Sequence, residues 1–367
     1  MGTTELEHAR RLVLQFGWNS TAYQIINPGI AHWFAPRGDA LVGYVSHAGV
    51  RVVAGAPVAP AGGLADAVQQ FELDAGIARE GVCYFGAEER LEALCRPLRT
   101  HSLISLGAQP IWRPGILADT ISAQSSLRAQ LNRARNKGVR VSQWSRNRSQ
   151  GDPQLRSILA AWLATRGLPP LRFLVEPDTL NQLEDRMVFV AERAGAVEGF
   201  LVASPIPARN GWLVEQIIRR PGAPNGVAES LIAFAARTMA DTGSDYVTLG
   251  LAPLSKRANL DRPAGAWWLR TTLAWVRAHG RRFYDFDGLD AFKAKFRPEQ
   301  WTAVFAVVNE PRFTPRMLYA IAAAFSGGSP VSMMMRATWR AVRQEVRWAT
   351  RGGQVRPPAG SSRVAAH

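Results

Sequence analysis

Hydrophobic and polar positions in the first third of the chain follow both helical and strand periodicities. Apolar residues recur at helical spacing from Leu6 to Phe16 and again just before Pro97, and short runs rich in β-branched and aromatic residues lie between them. We predict helices over residues 6–16, 64–80 and 88–96, and strands over residues 32–34, 40–45, 50–54, 82–85 and 111–112.

A similar succession follows a boundary that we place between Pro114 and Ser126. We predict helices over residues 127–137, 154–165, 227–240 and 267–279, and strands over residues 187–192, 199–204, 212–218 and 246–251. Strands that alternate with helices indicate a mixed α/β sheet flanked by helices. Because 367 residues is long for one hydrophobic core, we expect two similar domains, residues 1–120 and 121–312.

The end of the chain has a different pattern, with arginines among aromatic and aliphatic residues. We predict helices over Pro315 to Ala324 and Met333 to Thr350, within an amphipathic tail of residues 313–350. Such a tail either lies on anionic lipid or packs on its own domain with a solvated basic face. Residues 351–367 are rich in Gly, Pro and Ser, and we expect them to be disordered.

Composition narrows the choice of partners and compartment. The formal net charge of +15 favours a polyanionic partner, either nucleic acid or an anionic membrane surface, although a generally basic proteome would also produce it. Cys83 and Cys95 are too far apart for a CxxC pair, which argues against a zinc site and a disulfide framework. We expect a protein without a secretion signal or a membrane span, cytoplasmic and peripheral on the inner face of the membrane.

The segment from Val214 to Glu229 is the strongest candidate for a group-transfer site. It reads as a buried strand, a turn rich in Gly, Pro and Asn, and a helix start. Free backbone N–H groups and the helix dipole make such a turn a natural anion site. Pro224 has no N–H to donate, which makes this turn a poor cradle for the pyrophosphate of coenzyme A.

Two further segments carry polar residues suited to chemistry. The run from Tyr246 to Ser255 predicts a buried strand that ends in a Gly- and Pro-bearing loop at the carboxyl edge of a sheet, where ligands commonly bind. The run from Tyr284 to Pro298 places cations directly behind acidic residues. Lys293 and Lys295 need not share a helix face, so we expect at least one of them to reach solvent.

Taken in order, these motifs resemble the C-terminal synthase domain of the phosphatidylglycerol lysyltransferases, also called multiple peptide resistance factors. The resemblance spans about Leu12 to Val308 and is carried by the following segments: Leu127-Arg128 through Asn132-Arg133 to Lys137-Gly138, Glu215 with Arg219, Pro224-Asn225-Gly226, Leu249 to Ser255, Gly288-Leu289, and Phe292-Lys293-Ala294-Lys295-Phe296. Because this sequence shows no stretch like the multi-span flippase portion of that family, we expect a stand-alone synthase domain.

The resemblance implies two tandem domains of the GNAT acetyltransferase type that work without coenzyme A. It implies transfer of an amino acid from aminoacyl-tRNA to a lipid hydroxyl, with no cofactor and no metal. The expected catalytic residues are Glu215, Arg219, Lys293 and Lys295. We expect Glu215 to orient the aminoacyl amine or accept a proton, and the three cations to hold phosphate of tRNA or lipid and offset oxyanion charge. The implied substrate-binding residues are Asn225, Gly226, Glu229, Ser255, Tyr284, Asp287 and Arg297. The implied tRNA-binding residues are Arg128, Asn132, Arg133, Arg135 and Lys137.

Simple chemistry is compatible with this expectation and leaves two alternatives. An aminoacyl ester is already activated, so the protein must mainly position the acceptor hydroxyl, help to remove its proton and stabilise the developing oxyanion. The alternatives are a coenzyme A-dependent acyltransferase, which Pro224 disfavours, and a non-catalytic basic module that binds tRNA or membrane.

Overall fold

The computed structural model describes residues 3–164, 173–174, 179–258 and 286–326. Their strands form one mixed sheet of twelve strands. The strands are β1 (Ala31–Phe34), β2 (Leu41–His47), β3 (Val50–Ala54), β4 (Gly81–Ala87), β5 (Ser102–Trp112), β6 (Arg140–Trp144), β7 (Met187–Arg193), β8 (Ala196–Ile206), β9 (Gly211–Arg219), β10 (Tyr246–Thr248), β11 (Ala252–Pro253) and β12 (Gln300–Val308).

Helices cover both faces of this sheet, as the alternating pattern predicts. They are α1 (Thr3–Phe16), α2 (Leu64–Ile77), α3 (Glu89–Cys95), α4 (Pro114–Ala123), α5 (Ser125–Asn136), α6 (Arg146–Gly151), α7 (Pro153–Ala164), α8 (Val227–Asp241), α9 (Phe286–Ala294) and α10 (Pro315–Ser326). The predicted α/β class is therefore confirmed. No helix in the described ranges is long and apolar enough to cross a membrane.

The sheet joins the two predicted halves of the chain. Its strand order is β1-β2-β3-β4-β12-β5-β10-β9-β8-β7-β6, with β11 paired to β5. Each half contains a parallel pair whose strands are connected by a helix: β3 and β4 around α2, and β9 and β10 around α8. Strand β12 comes from the second half but lies between β4 and β5 of the first. The two halves therefore share one sheet, and the boundary at residues 120 and 121 stays a prediction.

Separate hydrophobic clusters hold the helices on the sheet. Helices α1 and α10 pack on the first half, and α2 and α3 pack on a second cluster of the same half. In the second half, α4, α5 and α8 share one cluster, and α7 belongs to another. The buried ion pair between Arg209 and Glu88 links the second half to the first, with 2.7 Å between Nη2 of Arg209 and Oε2 of Glu88.

Several sequence predictions need correction. Helix α4 was not predicted; it lies within the predicted boundary segment, where Pro114 suits the first helical position and Leu117 and Ile121 are buried. Strand β5 has eleven residues rather than two, because pairing with β12 and β10 outweighs the interruptions at Gly107 and Pro110. The predicted strand over residues 246–251 ends at Thr248. Strand β6 and helix α6 were not predicted.

The tail is only partly described. Helix α10 confirms the predicted helix over residues 315–324, and it buries Met317, Ala320, Ile321 and Ala324 against the first half. Helix α10 therefore packs on the first half of the chain, and the choice between lipid contact and packing for the arginine-rich part of the tail stays open. The helices predicted over residues 267–279 and 333–350, and the disorder predicted for residues 351–367, lie outside the described residues.

Candidate functional site

Strands β9 and β10 diverge at their carboxyl ends, and we call the space between the diverging ends the cleft. In the described part of the chain, β10 pairs with β9 only from Gly211 and Tyr246 to Leu213 and Thr248, whereas β9 itself continues to Arg219. After β10 the backbone turns at Gly250, which has a φ of 72°, and β11 then follows β5. The diverging carboxyl ends of two parallel strands form a crevice of the kind that binds ligands in α/β proteins.

Glu215 is positioned at this cleft by a β-bulge. In the β8–β9 ladder Val202 faces Gln216 and Ala203 faces Val214, so Glu215 is the extra residue between them. A bulge bends its strand and re-aims one side chain, which is why bulges often lie beside active sites. Here the bulge occurs two residues beyond Leu213, where the pairing with β10 ends.

The carboxylate of Glu215 lies in a buried polar cluster that both halves build. Nε of Arg186 lies 3.2 Å from each of its oxygens, and Nε2 of Gln24 donates to Oε1 at 2.6 Å. Nη2 of Arg186 donates to Oδ1 of Asn27 at 3.1 Å, and its guanidinium lies over the ring of Tyr23. Tyr23 and Gln24 belong to the short 3₁₀ turn Ala22–Ile26 of the first half, and Asn27 caps it.

Two polar atoms of this cluster are buried without a protein partner in the described residues: Oε1 of Gln24 and Nδ2 of Asn27. Buried polar groups are usually hydrogen-bonded, so each such atom calls for a water molecule or a ligand. The cluster therefore offers one acceptor and one donor beside the Glu215 carboxylate. Sequence reasoning missed Gln24, Asn27 and Arg186, because each lies 29 or more positions from Glu215 along the chain and belongs to no local motif.

Lys293, on helix α9, contacts the loop that follows β10. Its Nζ donates to the carbonyl oxygens of Gly250 and Leu251, at 2.8 Å each. Gly250 adjoins β9, since a Cβ atom there would lie 3.2 Å from Cδ1 of Leu213. Burial lowers the pKa of Lys293 to about 7, although Asp290 nearby favours the charged form. An amine with this pKa is partly neutral near pH 7, and its lone pair can then accept a proton.

Lys295 and Ser255 have defined partners close to Lys293. Nζ of Lys295 forms an ion pair of 2.6 Å with Oε1 of Glu229, which lies in the first turn of α8. Oγ of Ser255 donates to Asp290 at 2.6 Å. Lys293 is buried whereas Lys295 is partly exposed, which confirms the expectation that at least one of the two lysines reaches solvent. The structure thus brings together Glu229, Ser255, Lys293 and Lys295 from three predicted motifs.

The turn between β9 and α8 packs closely against helix α5. Gly226 has a φ of 94°, and a Cβ atom there would lie 2.1 Å from the carbonyl oxygen of Gln130 on α5. Glycine is therefore required for the contact between α5 and the start of α8. Asn225 and Arg219 are exposed on either side of this turn.

The remaining predicted site residues are dispersed. Asp287 lies in the first turn of α9, and Arg297 is exposed with a φ of 46°. Tyr284 lies outside the described residues. Within the described ranges, His, Cys, Asp and Glu side chains form no group of three or more that could hold a metal ion. The two cysteines, Cys83 and Cys95, are buried thiols.

Helix α5 presents the predicted tRNA-binding residues on its outer side. Its inner side buries Leu127 and Ala134 in the cluster shared with α8. The following basic residues are exposed: Arg128, Arg133, Arg135 and Lys137. Arg128 also donates to the last carbonyl oxygens of α4, and Asn132 accepts a hydrogen bond from Arg135. Exposed cations on one helix can contact a nucleic-acid backbone.

Comparison with known proteins agrees with the resemblance noted from the sequence. Residues 10–308 match the family model described as "Phosphatidylglycerol lysyltransferase, C-terminal". A lysylphosphatidylglycerol biosynthesis bifunctional protein LysX from Mycobacterium sp. (strain JLS) is 25% identical over 297 residues, which is 77% of this chain and 26% of that protein. A phosphatidylglycerol lysyltransferase from Bacillus subtilis is 24% identical over 160 residues, 43% of this chain and 18% of that protein. The chain thus spans about a quarter or less of the length of these two relatives.

Two solved structures share the fold. The C-terminal domain of a putative lysylphosphatidylglycerol synthetase from Agrobacterium fabrum superposes with a TM-score of 0.71 at 22% identity, covering 89% of this chain and 98% of that one. The structure of L-PGS from Bacillus licheniformis superposes with a TM-score of 0.69 at 19% identity, covering 91% of this chain and 95% of that one. At these identities the likeness concerns the fold.

Proposed function

Because this chain belongs to the family of phosphatidylglycerol lysyltransferase C-terminal domains, we propose that it is an aminoacyltransferase. It moves an amino acid from aminoacyl-tRNA to the hydroxyl group of a membrane lipid such as phosphatidylglycerol. The observation that carries this proposal is the buried Lys293 amine at the divergence of β9 and β10.

The reaction needs a group that manages one proton. The acceptor hydroxyl oxygen attacks the carbonyl carbon of the aminoacyl ester, a new ester C–O bond forms, and the bond to the tRNA ribose oxygen breaks. The proton of the acceptor hydroxyl leaves during attack, and the ribose oxygen takes up a proton as it departs. Neutral Lys293 is suited to accept the first proton and to return it to the leaving group, because its pKa lies close to neutrality.

The cluster around Glu215 is suited to the amino group of the transferred residue. An ammonium group donates up to three hydrogen bonds, and Glu215 and the unpartnered Oε1 of Gln24 are acceptors next to each other. Arg186 keeps the Glu215 carboxylate in place, and the unpartnered Nδ2 of Asn27 can donate to a carbonyl oxygen. In this arrangement Glu215 orients the donor and Lys293 handles the proton.

Cations around the cleft complete the proposal. Arg219 is exposed at the end of β9 and is available to a phosphate of lipid or tRNA. Lys295 stands over the ring of Phe292 and beside Glu229, from where it offsets charge that develops on the ester oxygen. Asn225, Gly226, Ser255, Asp287, Arg297 and Tyr284 are proposed to line the substrate path. The outer side of α5 supplies contacts to the tRNA backbone. The protein acts at the cytoplasmic face of the membrane.

The test is a transfer assay with defined substrates. The full chain is incubated with a set of labelled aminoacyl-tRNAs and with phosphatidylglycerol, and label is measured in the organic phase. At least one aminoacyl-tRNA is expected to give a lipid product, and Lys293→Met and Glu215→Gln are each expected to lose it. Absence of product from every aminoacyl-tRNA contradicts the proposal, and acetyl transfer from acetyl-CoA would support the acyltransferase alternative instead.

A further inference from the structure

Helix α9 is fastened to one segment of the chain at two points. Lys293 donates to two backbone carbonyl oxygens in the loop after β10, and Asp290 lies one helical turn earlier on the same helix. Oγ of Ser255 donates to Oδ1 of Asp290 at 2.6 Å, and Nε of Arg257 donates to Oδ2 at 2.8 Å. Both oxygens of the Asp290 carboxylate are therefore engaged by residues 250–257, which we call the 250–257 segment.

The 250–257 segment is itself held on the sheet. It contains β11, which pairs with β5. The N–H of Leu254 donates to the carbonyl oxygen of Leu106 on β5 at 2.7 Å. Leu254 has a φ of 58°, a left-handed conformation that costs a leucine about 1–2 kcal/mol. The backbone that carries Ser255 and Arg257 is therefore fixed by its pairing with β5, and it presents both side chains to Asp290.

Asp290 acts on the Lys293 amine, and Arg257 acts on Asp290. Burial lowers the pKa of Lys293, and the charge of Asp290 opposes this effect. The Cβ atoms of residues three apart on a helix lie about 5–6 Å from each other, so the two side chains are neighbours. Arg257 forms an ion pair with Asp290 and thereby offsets part of its negative charge. The protonation of Lys293 thus depends on a carboxylate whose own charge is balanced by a second residue.

The other charged groups on the elements around α9 have different surroundings. Lys295 pairs with Glu229 of α8, and Lys256 is exposed. Asp287 lies in the first turn of α9, and Arg297 follows the helix. Among the residues that the structure describes, Asp290 is the one whose charge counteracts the burial of the Lys293 amine.

We propose that Asp290 is a positioning residue for the transfer reaction, which acts through Lys293 by fastening α9 to the 250–257 segment and by holding a negative charge beside the Lys293 amine. This role rests on the proposed function, in which Lys293 accepts the proton of the acceptor hydroxyl. The effect of Asp290 on the Lys293 amine itself requires no substrate, so it can be measured on the free protein.

Lysine is rare enough in this chain for each amine to be followed by NMR. Of the 44 lysines and arginines only four are lysines: Lys137, Lys256, Lys293 and Lys295. The full chain, labelled with lysine that carries ¹³C at Cε, is titrated between about pH 5 and pH 11, which covers the ordinary lysine pKa. The signal that is missing in Lys293→Met identifies the amine of interest. Single-turnover transfer rates are measured on the same variants across pH.

Two substitutions are expected to move the pKa of Lys293 in opposite directions. Asp290→Asn removes the charge and keeps the shape, so the pKa should fall from about 7 to about 6. Arg257→Gln removes the cation that offsets Asp290, so the pKa should rise, by a smaller amount because the Arg257 side chain is 43% exposed. The acidic limb of the transfer rate should move with the pKa in both variants.

Two further variants are matched controls. Asp290→Glu keeps the carboxylate and is expected to restore a pKa close to that of the wild type. Asp119→Asn, which alters an exposed aspartate on α4, is expected to leave both the Lys293 pKa and the rate profile unchanged. If Asp290→Asn does not fold, the direction of the shift in Arg257→Gln decides alone.

Three outcomes overturn this role of Asp290. An unchanged Lys293 pKa in folded Asp290→Asn would show that the carboxylate does not act on the amine. Shifts in the same direction in Asp290→Asn and Arg257→Gln would show that both substitutions merely loosen α9. A rate profile that stays in place while the Lys293 pKa moves would show that the reaction does not depend on this amine. Opposite pKa shifts in a protein that transfers no amino acid would contradict the proposed function and leave the coupling of Asp290 to Lys293 intact.

Discussion

The carboxylate of Glu215 and the guanidinium of Arg186 form an ion pair that solvent barely reaches. Their side chains are 8% and 1% exposed, and both carboxylate oxygens lie 3.2 Å from Nε of Arg186. Gln24 and Asn27 of the first half complete the hydrogen bonds of the pair. The β-bulge positions Glu215, and the turn that contains Gln24 contacts the Glu215 carboxylate. The site therefore depends on residues from both halves.

Removal of Arg186 is expected to destabilise the protein strongly. Arg186→Met leaves the Glu215 carboxylate buried without its counter-charge, which costs about 3–5 kcal/mol in the free energy of unfolding. Urea denaturation of the variant and the wild type measures this loss. The double variant Arg186→Met/Glu215→Leu is expected to regain much of the stability, because no charge then remains buried, while transfer stays lost. An Arg186→Met variant as stable as the wild type would show that the ion pair between Arg186 and Glu215 does not contribute to the stability of the fold.

Lys293 is expected to make the free energy of unfolding depend on pH above about 7. Its pKa in the folded protein is about 7, below the ordinary value of 10.5, so between these pH values the unfolded chain binds more protons than the folded one. Stability therefore rises as pH increases from about 7 to about 10, by about 4 kcal/mol from this residue. Denaturation across this range should show the rise in the wild type and a smaller rise in Lys293→Met. Identical pH dependence in the two proteins would contradict it.

The rate of transfer is expected to follow the same ionisation. Protonated Lys293 has no lone pair, so the single-turnover rate should fall tenfold per pH unit below about pH 7 and reach a plateau above it. Rates measured across this range with one aminoacyl-tRNA give the apparent pKa. Lys256→Met, which alters an exposed lysine just after Ser255, should keep the wild-type profile. A rate that is independent of pH would exclude Lys293 as the proton acceptor.

Gly226 is expected to tolerate no side chain. Gly226→Ala forces a Cβ atom to within 2.1 Å of the Gln130 carbonyl oxygen at a positive φ, so the free energy of unfolding should drop by about 2–5 kcal/mol. Gly222→Ala is the matched control in the same turn, because Gly222 has a φ of 80° with no atom nearby, and it should cost about 1 kcal/mol. Thermal or chemical denaturation compares the two. Equal losses would mean that the contact with α5 is dispensable.

The outer side of α5 is expected to set the salt dependence of tRNA binding. Arg133→Gln/Arg135→Gln removes two exposed cations, so affinity should fall and the slope of log K against log salt should shrink by about 1.5. Filter binding or fluorescence titration at several salt concentrations measures both quantities. Arg37→Gln, an exposed arginine of the first half, should leave the slope unchanged. If Arg133→Gln/Arg135→Gln keeps the wild-type slope, as Arg37→Gln is expected to do, tRNA does not bind at the outer side of α5.

Sequence patterns predicted the helices, strands and turns that depend on residues close together in the chain. The contacts of the site depend on residues far apart in the chain and could not be predicted in this way. The strand, turn and helix from Val214 to Glu229 follow from periodicity and turn residues, and the structure has them within a few positions. The residues around Glu215 could not be predicted, because Gln24 comes from a turn 191 positions away. The burial of Lys293 likewise depends on its distant partners Gly250 and Leu251. A lysine in a charged run gives no sign of this burial.

Strand β5 shows why sequence understates a central strand. Gly107 and Pro110 weaken its local preference, and only the ladders with β12 and β10 on either side make it a strand of eleven residues. Helix α4 was missed for a different reason: it is short and lies in a segment predicted as a boundary, although Pro114 suits the first turn of a helix.

The position of β12 has a consequence for how the chain folds as it leaves the ribosome. Domains at the amino end of a protein commonly fold first during synthesis. Here β4 and β5 are not neighbours; the strand between them ends at Val308 and is made after almost all of the second half. In a nascent chain that ends near residue 120, β4 and β5 each lack the neighbour that β12 provides. The sheet of the first half is complete only after residues 300–308 have been synthesised. We therefore expect the two halves to fold cooperatively, because insertion of β12 from the second half completes the sheet of the first half.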